Sequence, residues 1–181
     1  MKKNGKRLRI KPDWMWVLTV FAVTLGISAA MSLVSGEALS GGGLAVSFAV
    51  LLAIVLIGIC FDIVGVAVTA ADEKPFHSMA AKKVPQAQTA IRLLRRAERV
   101  SSFCNDVVGD ICGIVSGSTA AVIVTHLQRD LSTTSVLISI GVTALISGLT
   151  IGGKALFKSV AIQESTKVVY RVARLMHNLH L

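Results

Sequence analysis

Three carboxylates stand inside otherwise apolar sequence. Asp62 lies in the run from Ala38 to Ala71, and Asp106 and Asp110 lie in the run from Ser102 to Thr125. Asp106, Gly109, Asp110, Gly113 and Gly117 share one face at helical spacing, as do Gly58, Asp62, Gly65 and Thr69. Ser139, Thr143, Ser147 and Thr150 form a hydroxyl stripe in a third apolar run. Glycines let backbones approach and bare their carbonyls, while carboxylates and hydroxyls are hard oxygen ligands. Such a set suits Mg2+ or Ca2+ better than zinc or copper. The candidate metal ligands are therefore Asp62 and Asp110 as charged oxygens, the Gly109 carbonyl, and Thr143 or Ser147 as helpers, with Asp106 at the mouth of the site. Each feature also has a plainer explanation. Glycine stripes pack helices, an acid in a first helical turn favours the helix N-terminus, and hydroxyls in membrane helices bond to their own backbone. Lys154 could also neutralise Asp62 or Asp110.

The elements that must position these residues are membrane spans. The chain has 181 residues, 53% hydrophobic and 16% charged, against about 25% charge in ordinary soluble domains. Crossing a bilayer takes about 20 mostly apolar residues. Four stretches qualify: Trp14–Gly36, about Leu44–Thr69 after the turn at Leu39–Gly43, about Ser102–Thr125, and Leu131–Gly153. The first could instead be a signal peptide. Its apolar run exceeds the usual 7–15 residues, however, and Trp14 and Trp16 sit where an interfacial anchor belongs. From the helical rise, Asp62 and Asp110 lie about 10 and 12 Å in from the same side, deep enough to face one another. Two carboxylates at one depth repel unless a cation or proton lies between them.

Charge sets the orientation. Of 19 Lys and Arg residues, all but Arg129 fall before the first span, between the second and third, or after the fourth. The positive-inside bias therefore places both termini and the loop 72–100 in the cytoplasm. The net charge of +9 then means contact with anionic lipids on the cytoplasmic face, and no nucleic-acid motif accompanies it. Gln86–Val100 puts Ala87, Ala90, Ile91, Leu94 and Ala97 opposite Arg92, Arg95, Arg96 and Arg99, and Gln163–Leu179 repeats the pattern. Both predict basic amphipathic helices at the membrane surface. Pro75 and Pro85 cut the loop into a short segment and a longer helix. Cys60, Cys104 and Cys112 lie in apolar stretches and read as small buried hydrophobes. With no nucleophile motif, phosphate loop or redox pair in view, the chain is not expected to be an enzyme.

From about Val50 onward the chain resembles the transmembrane domain of the cyclin M (CNNM)/CorC family of magnesium transport proteins. The likeness rests on Ala80-Ala81-Lys82-Lys83, Ala90-Ile91-Arg92-Leu93-Leu94 and Ala97-Glu98-Arg99 in the loop, and on Gly153-Lys154-Ala155-Leu156-Phe157-Lys158-Ser159-Val160-Ala161 after the last span. Lys154 and Phe157 replace that motif's Glu and Pro. Asp62-Ile63-Val64-Gly65-Val66-Ala67 stands where the family has S-G-S-E-x-A, and Gly109-Asp110-Ile111 where it has G-N-N. Nothing in the sequence corresponds to the family's paired cystathionine-β-synthase-type modules. The resemblance implies Mg2+ as the transported ion and a homodimer. The expected architecture is an all-α integral membrane protein, of bacterial cell-membrane type, with four transmembrane helices. Residues 1–13 form a basic cytoplasmic N-terminus, 14–36 an additional span, and 44–161 the family-like domain (spans about 44–69, 102–125 and 131–153). The loop 72–100 supplies a juxtamembrane helical hairpin and 162–181 a cytoplasmic amphipathic helix. The expected function is divalent-cation handling, or alternatively a non-transporting relative serving as a membrane scaffold or partner subunit.

Overall fold

The computed structural model describes residues 14–40, 42–130 and 136–179, and among them the protein is helical throughout, with no strands. In chain order the elements are α1 (Trp14–Ser40), α2 (Leu44–Ala70), α3 (Lys74–Ala81), α4 (Ala87–Arg95) and α5 (Ala97–Ser102). A π-helical turn (Phe103–Gly109), α6 (Asp110–Asp130), α7 (Val136–Gln163) and α8 (Ser165–Asn178) follow. Four helices are long and apolar enough to cross a membrane: α1, α2, the continuous helix Ala97–Asp130, and α7. This is an integral membrane architecture. The basic segment before Trp14 and the start of the fourth span, residues 131–135, lie outside the described residues.

Two spans differ from their sequence bounds. The third begins at Ala97, because α5, the π turn and α6 run on without a break. At about 50 Å it is longer than a hydrocarbon core of about 30 Å, so its charged first turns reach beyond the core. The fourth continues past Gly153 to Gln163, carrying Lys154 and Lys158 on a helix already in progress.

The central element is α2, which packs against α1, α5, the π turn, α6, α7 and α8. Its buried face includes Leu51, Ile54, Gly58, Ile59, Gly65, Ala67 and Val68. On one side Ile54 joins Val107, Val108, Ile111, Cys112 and Val115 in an apolar core against which Val20, Ile27 and Met31 of α1 pack. Otherwise α1 presents Leu18, Phe21, Leu25 and Leu33 outward, a composition suited to lipid. The Ser35 and Thr119 hydroxyls, 3.4 Å apart, join α1 to α6, and Arg99 stacks 5.2 Å over the Trp16 ring.

A second core closes the end of α2 toward the basic loop. Ala67 and Val68 of α2, Phe76 of α3, Ala90, Leu93 and Leu94 of α4, and Val169 and Ala173 of α8 form one buried cluster. The amphipathic patterns of α4 and α8 are thus spent on this cluster, with Arg92, Arg95, Arg96 and Arg99 left exposed. The long helix expected over Gln86–Val100 is broken at Arg96 (φ −114, ψ 26), where the chain turns from α4 into the third span.

Candidate functional site

Asp62 lies on α2 eight residues before its end, and Lys154 lies on α7. The Lys154 ammonium meets the Asp62 carboxylate at 3.0 Å, each side chain keeping about a quarter of its surface exposed (27% and 24%). The other carboxylate oxygen, Asp62 Oδ1, rests against Gly109, where an added Cβ would stand 2.8 Å from it and 3.5 Å from the Cys104 carbonyl. Only glycine admits the carboxylate so close to the third span. One turn further along α2, Gly65 receives the side-chain amide of Asn105, so closely that a Cβ there would meet the Asn105 Oδ1 atom and stand 2.8 Å from its Cγ. The Asn105 Nδ2 group donates to Ser101 Oγ at 3.1 Å, but Asn105 Oδ1 is buried with no hydrogen-bond partner. A buried acceptor left unpaired costs free energy, so this atom marks a place suited to a cation or a donor.

Asn105 lies in the π turn, four residues before Gly109 and on the same face. The turn's wider i→i+5 winding rotates residues 103–109 relative to an unbroken α-helix, and such turns concentrate at functional sites. The consequence is visible in Asp106, which is exposed and accepts a 2.7 Å hydrogen bond from Ser102 Oγ. Asn105 carries no charge and was not among the sequence candidates. Its signal in the sequence is the i, i+4 spacing from Gly109, which puts the two on one face of the third span.

Asp62, Asn105 and Lys154 together line an open pocket of about 350 Å³ between α2, the π turn and α7, walled by Ile59, Ile63, Val66, Ile151 and Phe157. Thr143 and Ser147 lie elsewhere. They are exposed and line a groove of about 200 Å³ between α6 and α7 with Gly113, Ser116, Gly117 and Thr150, and Lys154 borders both spaces. Asp110 is exposed and lines neither. Of the six sequence candidates, Asp62 and Gly109 are brought together, Thr143 and Ser147 form a neighbouring groove, and Asp106 and Asp110 stand apart. Among the described residues no group of three or more His, Cys, Asp or Glu is placed to hold a metal ion. Several hydroxyls serve their own helices: Ser116 bonds to the Gly113 carbonyl (2.9 Å) and Thr150 to that of Ile146 (2.8 Å).

The glycine stripe therefore divides. Gly65 and Gly109 are filled by a partner side chain, and a Cβ added at Gly58 would stand 3.1 Å from Cys112 Cβ, whereas Gly113 and Gly117 face open space. Gly65→Ala is expected to cost about 1–3 kcal/mol by overpacking, and Gly113→Ala and Gly117→Ala less than about 0.5 kcal/mol. Thermal unfolding in micelles reads the difference. Equal losses at all three positions would contradict this division.

The fold and the paired charges within its spans define a polytopic α-helical membrane protein with an ionised site between α2, α7 and the π turn. No family model, curated protein or solved structure matches the chain.

Proposed function

We propose that the protein handles a divalent cation, Mg2+ foremost, at the junction of α2, the π turn and α7, with the basic loop 72–100 and both termini on the cytoplasmic side. The observation that carries this reading is that Asp62 and Asn105 line one open pocket within spanning helices, with the Asn105 Oδ1 atom buried beside it and unpartnered. Asp62 supplies charge, Asn105 Oδ1 a neutral hard oxygen, and the Cys104 carbonyl beside Gly109 a third. Lys154 completes the mechanism. It balances Asp62 when no ion is bound, and an arriving dication displaces its ammonium toward the Ser147–Thr150 groove that it also borders. The carboxylate is then neutralised in both states, which an ionised group at this depth requires. The family resemblance supports Mg2+ as the ion and a homodimer as the assembly, with α3 and α4 as the juxtamembrane hairpin.

The ion pair itself favours a second reading. Lys154 already balances Asp62 without an ion, as suits a non-transporting scaffold or partner subunit. Mg2+ flux into proteoliposomes separates the two. Under the transport reading the wild-type chain exceeds protein-free liposomes, Asp62→Asn lowers flux about tenfold or more, and Asp110→Asn leaves it unchanged. Wild-type flux equal to that of empty liposomes supports the scaffold, and full flux in Asp62→Asn rejects the site.

A further inference from the structure

The pocket between α2 and α7 has a third charged member, Lys158, that the cation reading does not use. Lys158 lies one helical turn beyond Lys154 on α7, is exposed, and among the described residues has no hydrogen bond or ion pair. Both α2 and α7 run toward the basic-loop end of the bundle. Lys158 therefore stands about 6 Å nearer that end than Lys154.

The walls are unlike those of a site for a water-soluble anion. The floor is apolar, with Ile59 buried and Ile63 and Val66 half-buried, and the rim is Ile151 (67% exposed) and Phe157 (45% exposed). The rim residues belong to a helix long and apolar enough to span the membrane. Those rim residues suit contact with an acyl chain, while Lys158 marks the pocket's polar end. A molecule with an anionic head and an apolar tail satisfies both ends at once: the head at Lys158, the tail along Ile151 and Phe157 toward the membrane middle. The charge also fits. Lys154 is balanced by Asp62, so one spare positive charge remains, matching the single negative charge of a phosphodiester. Basic pockets between spanning helices at the positively charged face are the usual form of such lipid sites.

We propose that the α2–α7 pocket binds one anionic phospholipid, its phosphate at Lys158 and an acyl chain along Ile151 and Phe157. This depends on Lys158, the apolar walls and the Asp62–Lys154 pair of the ion-free protein, and it needs no transport activity.

Native mass spectrometry of the full chain, released from micelles loaded with phosphatidylglycerol or phosphatidylcholine of identical chains, tests the proposal. One phosphatidylglycerol is expected to be retained per chain in preference to phosphatidylcholine. Lys158→Gln should weaken that retention about fivefold, as the loss of one interfacial lysine implies, and Lys158→Arg should restore it. Lys167→Gln removes the same charge from α8, where the lysine pairs with Glu164 at 2.8 Å, and should change nothing. Equal retention of the two lipids, or equal weakening by Lys158→Gln and Lys167→Gln, overturns the proposal. So does displacement of the lipid by millimolar inorganic phosphate, which would make a free anion the ligand.

Discussion

Replacing Lys154 by Met is expected to lower the unfolding free energy in micelles by about 3 kcal/mol, and adding Asp62→Asn should recover most of that loss. Breaking one half of a buried ion pair leaves an uncompensated charge, while removing both halves leaves two neutral groups of similar shape. The magnitude sits at the low end for buried pairs because about a quarter of each side chain remains exposed. The two single variants should also differ. Asp62 is short and is held against Gly109, so in Lys154→Met its carboxylate has nowhere to go. Lys154 has a long stem and borders a second space lined by Ser147 and Thr150. In Asp62→Asn its ammonium can reach that hydroxyl-lined groove, and the loss should be smaller, about 1–2 kcal/mol. A denaturant titration of the four proteins, followed by circular dichroism, gives the coupling energy directly. Losses that simply add in the double variant would show that the 3.0 Å contact contributes nothing to stability.

The same cycle bears on function. In the transport reading Lys154 is a tethered competitor for Asp62, so Lys154→Met should bind Mg2+ more tightly than wild type even while it is less stable. In the scaffold reading only stability moves.

How much of this was legible beforehand depends on which physical quantity each feature obeys. Hydropathy and length identify spans well: α2 was expected at about Leu44–Thr69 and runs Leu44–Ala70. Depth along a helix is equally readable, and it brought Asp62 and Asp110 to one level. Azimuth around the helix is not, because it depends on winding. Seven residues of π-helix from Phe103 to Gly109 interrupt the regular phase of the third span; Asn105, one i, i+4 step before Gly109, meets α2, while Asp110 is exposed. The glycine stripe shows the same limit. Its period marks a face, but the angle at which helices cross decides that Gly109 is filled and that Gly113 and Gly117 are not. Lys154 was recognisable as a neutralising partner because it is the first cation after a long uncharged run on the fourth span. That it chooses Asp62 is set by α2 packing against α7, a tertiary fact.

Phe76→Ala is expected to have the largest effect of any single side-chain truncation, about 3–5 kcal/mol. Among the described residues Phe76 is the largest of the fully buried side chains, with no exposed surface, yet it belongs to α3, a helix of only eight residues. Such a helix has little stability of its own. It starts well, since Pro75 occupies the first turn, where its missing N–H is not needed, but its place depends on what Phe76 buries. The cluster around Phe76 draws Ala67 and Val68 from α2, Leu93 and Leu94 from α4, and Val169 and Ala173 from α8. Emptying its centre should therefore release α3, α4 and α8 together from the end of α2, while the separate core around Ile111 and Val115 keeps the spans assembled. Hydrogen exchange separates this outcome from global unfolding: amides in residues 74–95 and 165–178 should lose protection and those of α2 before Asp62 should keep theirs. Phe76→Leu, which retains most of the volume, should lose much less. If protection falls equally in both cores, the two clusters form one cooperative unit. The Asp62–Lys154 pair would then depend on the loop helices as much as on the spans that carry it.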